Sequence, residues 1–571
     1  MTALLQKSFR IPASSTRQDA ASPKGRRGMR AVFQFCQTLA NFVRFCQTLA
    51  KCAPCRPGLA TRHAKEPVKA RFSILLSLVL SATAFAAPIP PGTPCTLHEI
   101  RGHAALERAA ARIGILQFQF QFPDEEATVL DFLRNHDVVD TTVNFHLTGS
   151  QPKAHFLALS PADRQAFLDL LSAESWTREP DTPEGFQVFV PPSTAFRYHI
   201  AAVDGKTAFA KDPDALRAAL DLYPSLPDRL PADGDIAFQF GGEEVMRTSF
   251  LSPSLTAEIQ GNVDTLAVGF GTDADSLALH AILAPRTTSQ LAAHLRSCGP
   301  IPPSTACVNL PGAIAFFAEG PAPTPFSSSF GTQESAFLSA LARRTGNQPF
   351  SAAFHPPATP GAFPRILGFQ GLNDLPTARS ALHSLFARHS DAFALVSSPS
   401  HRGIPVDTLY ASDPDAIADF LETHLGHNRH NPEARALILR SFATGRRGLS
   451  FAWLPEGLLF SLNDAGDTLL HSAIDAALDG TATPFEQTPA FPEPDGPAHV
   501  LARLDLPTIA PFLPSPFDSL CRQVPASCPV DLFACVAPDG SLVIRLRAPL
   551  SLPQAFAHSK NQGTRKYGPV K

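Results

Sequence analysis

Leu116, Phe118, Phe120 and Phe122 alternate with Gln117, Gln119 and Gln121. A period of two marks a half-buried strand, and a sheet covered on one face follows. Pro123-Asp124-Glu125-Glu126 then opens a helix carrying Val129, Leu130, Phe132 and Leu133, and a strand follows over residues 142–147. Strands and amphipathic helices keep alternating, with hairpins between them. The pattern predicts an α+β fold: antiparallel sheet with helices packed on one face, ferredoxin-like in flavour. A parallel doubly wound sheet fits less well, because its strands should be continuously apolar.

The pattern also repeats. Residues 276–294 (SLALHAILAPRTTSQLAAH) and 541–558 (SLVIRLRAPLSLPQAFAH) both begin Ser-Leu, alternate, meet a proline and enter a helix. Upstream, residues 263–268 (VDTLAV) match 530–535 (VDLFAC), which aligns Val268 with Cys535. Residues 200–220 and 451–478 each read strand, tight turn, strand, acidic cap, helix. Asp204-Gly205 is a strong hairpin signal and Glu456-Gly457 a weaker one; Asp212-Pro213 supplies an N-cap and a first-turn proline. A third pair, strand plus helix, lies at 154–171 and 366–386. Two related halves are expected, residues 87–299 and 300–571, joined at Gly299-Pro300-Ile301-Pro302-Pro303. Leu277, Leu279, Ala281, Leu542, Ile544 and Leu546 should then point inward, and His280 and Arg545 outward.

One apolar run belongs to no core. Lys69 and Arg71 precede residues 72–80 (FSILLSLVL), and Ala84-Phe85-Ala86 is a small-x-small cleavage signal ahead of Ala87. That is a secretory signal over residues 68–86, and the run is short for the ~20 residues of a spanning helix. Residues 1–67 contain a repeated FCQTLA and read as an early-called start or a disordered extension. The protein is expected in the periplasm or outside the cell, with no stable membrane span after cleavage.

Composition changes once that leader is set aside. Residues 1–87 hold 14 Lys and Arg against 2 Asp and Glu; the remainder holds 34 basic and 49 acidic residues, net −15. An acidic chain repels phosphate backbones, so nucleic acid is excluded as a partner. About 485 residues exceed one ordinary core.

The exported part keeps six cysteines: Cys95, Cys298, Cys307, Cys521, Cys528 and Cys535. Cys298 with Cys307, and Cys521 with Cys528, flank proline-containing loops and are candidate local disulfides, each worth about 2–3 kcal/mol. Neither pair has zinc spacing, and Cys52-x-x-Cys55 lacks a second pair. His424, His427 and His430 form H-x-x-H-x-x-H, a weak metal candidate because imidazoles at that spacing drift around a helix. Cys535 falls at an inward strand position and reads as a structural thiol.

No G-x-S-x-G elbow, H-E-x-x-H, S-x-x-K or phosphate-binding glycine loop is present. No cofactor is implied. The expectation is an exported, non-enzymatic envelope protein that binds a protein or an apolar ligand, or serves a structural role. The alternative is an envelope hydrolase with its site between the halves.

Overall fold

The structure is a computed structural model. It describes residues 95–101, 138–147, 152–192, 197–241, 262–272, 275–321, 348–357, 364–388, 393–411, 447–483, 497–509 and 528–552, with isolated positions at 93, 129, 132, 133, 135, 136 and 390. The strand at 116–122, the leader and the extension lie outside these residues.

Among the described residues twenty strands form one sheet. The first ten are β1 Cys95–Ile100, β2 Asp140–Phe145, β3 Lys153–Leu157, β4 Thr177–Glu179, β5 Gln187–Val190, β6 Tyr198–Val203, β7 Lys206–Ala210, β8 Ile236–Gly241, β9 Val263–Thr272 and β10 Ser276–Pro285. The second ten are β11 Ala315–Glu319, β12 Phe350–His355, β13 Arg365–Gly371, β14 Phe393–His401, β15 Ile404–Ala411, β16 Arg447–Leu454, β17 Gly457–Leu462, β18 Val500–Asp505, β19 Pro529–Val536 and β20 Leu542–Pro549. Among the described residues the longer helices are α1 Pro161–Ala173, α2 Pro213–Leu222, α3 Gln290–Ser297, α4 Leu375–Arg388 and α5 Thr468–Asp479, with a single turn at Leu506–Ile509.

Every ladder among the described residues is antiparallel. From one edge the order is β4, β5, β6, β7, β3, β2, β1, β8, β9, β10. From the other edge it is β14, β15, β16, β17, β13, β12, β11, β18, β19, β20. The two runs have the same order, each strand standing ten places after its counterpart. They meet where β10 pairs with β20, and there His280 faces Arg545. Since β10 and β20 are counterparts, this seam has a local two-fold axis passing between those two residues. Each run has ten strands, where a ferredoxin-like unit has four.

Local chemistry explains the boundaries. Asp204 and Gly205 both have positive φ (41° and 78°), the type I′ turn that matches strand twist. Asp212 caps α2 by accepting the Asp214 N–H at 2.9 Å, with Pro213 next. Ser289 caps α3 through the Ala292 N–H. The other hairpin differs from the expected Glu456-Gly457: Val203 pairs with Lys206 and Leu454 with Gly457, so the second loop is Pro455-Glu456 and Gly457 already belongs to β17.

Helices cover both faces, not one. Phe156 and Leu157 are adjacent in β3 and both buried, so they point to opposite sides. Phe156 packs with Ala208, Ala210 and α2 residues Ala215, Leu216 and Ala219. Leu157 packs with Phe209, Ile200 and α1 residues Phe167 and Leu171. In the second run α4 covers Leu409, Phe451 and Trp453, while α5 covers Val406, Ala452, Leu459 and Leu367 on the other side. The one-face expectation came from the glutamine alternation at 117–121, and these central strands do not share that pattern.

Candidate functional site

Chemistry-bearing side chains gather at the seam, at a cavity near it, and at the outer hairpin of the second run.

At the seam, His280 and Arg545 do share a face, but His280 is only 8% exposed, against the outward expectation. Residues 232–234 cross the sheet on that face. A Cβ on Gly269, the ladder neighbour of His280, would overlap the Asp233 carbonyl. The glycine therefore permits the crossing, and the crossing buries the imidazole. The Asp233 N–H donates to His280 Nδ1 at 2.8 Å. The Asp233 carboxylate lies 3.1 Å from the same nitrogen and 3.7 Å from Arg545 Nη2. Nδ1 cannot accept from the amide and donate to the carboxylate at once, so a neutral ring leaves that carboxylate to Arg545. The other face carries Leu279 and Leu546 in one apolar cluster. Val268 pairs with Ala281 and Cys535 with Val543, so these two are not counterparts and the aligned hexapeptides are offset by three residues in the ladder. Cys535 is nevertheless buried.

Beside the seam lies a cavity of about 300 Å³. The end of α3 (Leu295, Arg296, Cys298), His499 and the turn between β19 and β20 line it. Cys298 donates its thiol to the His294 carbonyl at 3.4 Å, and burial, aided by Glu319, raises its pKa. His499 Nδ1 stands 3.0 Å from the Pro497 carbonyl; burial lowers its pKa despite that contact. A nucleophilic cysteine needs a depressed pKa and a bonded base. This thiol is shifted the opposite way and bonds to a backbone carbonyl.

The candidate disulfide between Cys298 and Cys307 is open. Cys298, Cys307 and Cys528 are free thiols. Cys307 is 1% exposed inside the core beneath α5, with its thiol pushed up to about 12 by burial. Cys528 sits in the cluster below Leu546, pushed up to about 11 for the same reason. Cys307 and Cys528 are committed to apolar clusters, and Cys298 bonds the His294 carbonyl, so none is turned to the loop beside it. Cys521, His424, His427 and His430 lie outside the described residues, and among the described residues no group of three or more His, Cys, Asp or Glu is placed to hold a metal.

The outer hairpin carries the richest polar network, and none of its members was singled out by sequence. Asp407 in β15 is fully buried. Its Oδ2 accepts from Arg379 Nε (3.0 Å), His383 Nε2 (2.9 Å) and Trp453 Nε1 (2.9 Å); its Oδ1 accepts from Arg379 Nη2 (3.0 Å) and Ser397 Oγ (2.9 Å). Burial alone would raise this pKa, but the donors outweigh it and hold the carboxyl well below the usual range. One ion thus ties α4, β14, β15 and β16 together. A signal existed: a charge in the middle of IPVDTLYA must be paired if that strand is buried.

Further bonds fix β14 on its other face. Ser398 bonds Thr408 at 2.9 Å, and Arg402-Gly403, with φ of 49° and 82°, makes a type I′ turn into β15. His401 bonds Asp475 of α5 at 2.9 Å, and Arg402 pairs with Asp475 and Asp479. Yet β14 is the end of the sheet as far as the described residues go. It pairs only with β15 among the described residues, and its Val396 is 49% exposed.

The opposite edge is built differently. β4 has three residues, Thr-Arg-Glu. Glu179 pairs with Arg197 at 2.7 Å and Arg178 with Asp181 at 3.3 Å. A short, charged strand is how edges are guarded against strange partners. β14 has nine residues, and its first six, Phe393 to Ser398, carry no charge.

No known protein family matches the chain, and no curated protein matches it. Among solved structures it is similar to TP0453. Crystal form IV gives 13% identity and a TM-score of 0.22, covering 34% of this chain and 76% of that one. Crystal form I gives 12% identity and 0.21, covering 35% and 79%. Likeness at this level carries no argument.

Proposed function

We propose that the protein is an exported, non-enzymatic binding protein of the cell envelope, built from two related halves, that takes up a protein partner by strand addition at β14. The observation that carries this reading is the contrast between the edges. One end of the described sheet is blunted by brevity and charge; the other is the nine-residue β14, uncharged over Phe393 to Ser398 and held ready by the Asp407 network. An exposed edge offers a row of backbone donors and acceptors, and a pinned strand loses little entropy when a partner docks. The repeated strand order supports common descent of the halves. The signal-like segment at 68–86 supports export, and among the described residues no helix is long and apolar enough to cross a membrane.

Two experiments test the reading. N-terminal sequencing of envelope-fraction protein should begin at Ala87 or within a few residues; intact chain from Met1 in the soluble envelope fraction removes the export part. A photo-crosslinking amino acid at Val396 should give a covalent adduct in cells, and the same probe at Arg178 on β4 should not. Equal labelling of both, or of neither, removes the edge from the proposal.

A further inference from the structure

Resting on that reading of β14, we infer that the strand which completes this edge is β14 of a second copy of the same chain, added antiparallel to give a closed two-fold dimer.

Three observations point to self-pairing. First, the fold already contains such a joint. β10 and β20 are counterpart strands, and they pair antiparallel about a local two-fold axis through His280 and Arg545. An edge of this module therefore accepts its own equivalent. Second, Phe393 to Ser398 reads FALVSS, with no charge to oppose its own copy. Like charges facing across a ladder are destabilising, and here self-pairing meets none. A two-fold axis at Val396 sets Val396 against the partner's Val396, which covers a side chain now 49% exposed. Leu478 of α5, at 42%, is the other large apolar side chain exposed among the described residues. It belongs to the same run, on the helix that His401 and Arg402 of the β14–β15 turn bond.

Third, the blunted end explains why assembly stops. A chain with two open edges could add copies head to tail without limit, whereas a single self-complementary edge closes at two. β4, with its Arg178, Glu179 and Arg197 charges, is the end that must not pair. Pro399 marks the limit of the docking stretch. It has no N–H to donate, and the ladder to β15 shifts register between Ser398 and His401.

The test uses the mature chain. Native mass spectrometry and light scattering at micromolar concentration should give twice the monomer mass. V396K should shift the equilibrium to monomer, raising the dimer dissociation constant at least tenfold. Under mild oxidation V396C should give a disulfide-linked dimer on a non-reducing gel, while wild type under the same oxidation controls for the native thiols. A wild-type dimer that V396K leaves intact, or that V396C does not cross-link, overturns the inference. A monomeric wild type also overturns it. In that case a photo-crosslinked adduct at Val396 to a different chain leaves the edge-binding reading standing, and no adduct removes both.

Discussion

Removing the Asp407 carboxylate strips five donors of their acceptor at once. In Asp407→Ala, Arg379, His383, Ser397 and Trp453 all lose it. Arg379 and His383 are 36% and 40% exposed in their side chains, so water recovers part of their loss. The Trp453 indole is buried at 7% and does not recover. An orphaned buried donor costs about 1–3 kcal/mol, and breaking a buried pair costs about 3–5 kcal/mol when neither partner reaches water. Discounting for the two half-exposed cations leaves about 3 kcal/mol. Urea unfolding followed by tryptophan emission reads this directly, because the chain has two tryptophans and one is the donor. The Trp453 signal should move with its transition, while Trp176 in the first run should report a smaller change. Replacing Asp407, Arg379 and His383 together by leucine should recover most of the loss, since no charge is then left buried alone. The sign with pH follows from the depressed pKa. The contribution is complete above the unfolded carboxylate value of 3.8 and fades as pH falls below it. The difference between wild type and D407A should therefore shrink under pH 4. A D407A protein within 1 kcal/mol of wild type at pH 7 refutes the account.

Other consequences are as sharp. Burial, with Arg365 adding to it and Asp464 opposing it, lowers the His355 pKa to about 4, and burial lowers that of His199. Each takes up a proton on unfolding, so stability is whole above 6.5 and falls as pH drops below it, for His355 down to about 4 at about 1.4 kcal/mol per pH unit; His355→Leu should flatten the slope of denaturation midpoint against pH, and an unchanged slope contradicts the burial argument. Gly269→Ala forces the Asp233 crossing off the sheet and should cost about 2–4 kcal/mol, whereas Gly312→Ala, strained in φ but meeting open space, should cost about 1 kcal/mol in the same titration. Native-state thiol titration should label Cys298 before Cys307 and Cys528, and rapid labelling of Cys307 would show that its cluster is not closed.

What the sequence discloses here is local. The Asp212-Pro213 cap, the Asp204-Gly205 turn and the likeness of β10 to β20 all sit within a few residues of their causes. The pairing of β10 with β20 is not local: nothing in either strand says that its counterpart is its partner. Burial on both faces was hidden because the legible alternation lay at 117–121 and the central strands mix small alanines with large residues. The Asp407 network draws on Arg379, His383, Ser397 and Trp453, from a helix and two strands. Each alone is an ordinary residue, and only the fold makes them a set. His280 misled for a related reason, since its cover comes from a crossing that only Gly269 and Gly271 betray.

The seam also sets a timetable for folding. β10 pairs with β9 at once but finds its second ladder neighbour only when β20 exists, roughly 260 residues later. At ~5–20 residues per second of synthesis, that is on the order of 10–50 s. Closing so long a loop costs about 5 kcal/mol of chain entropy before one seam bond is made. Throughout that interval SLALHAILAP is a bare, ten-residue apolar edge on an otherwise assembled first run. It is the stretch at which the nascent chain is open to aggregation, and slow docking of the second run onto it should dominate refolding kinetics. A chaperone that shields extended apolar strands would act there first, and its need should vanish once β20 has arrived.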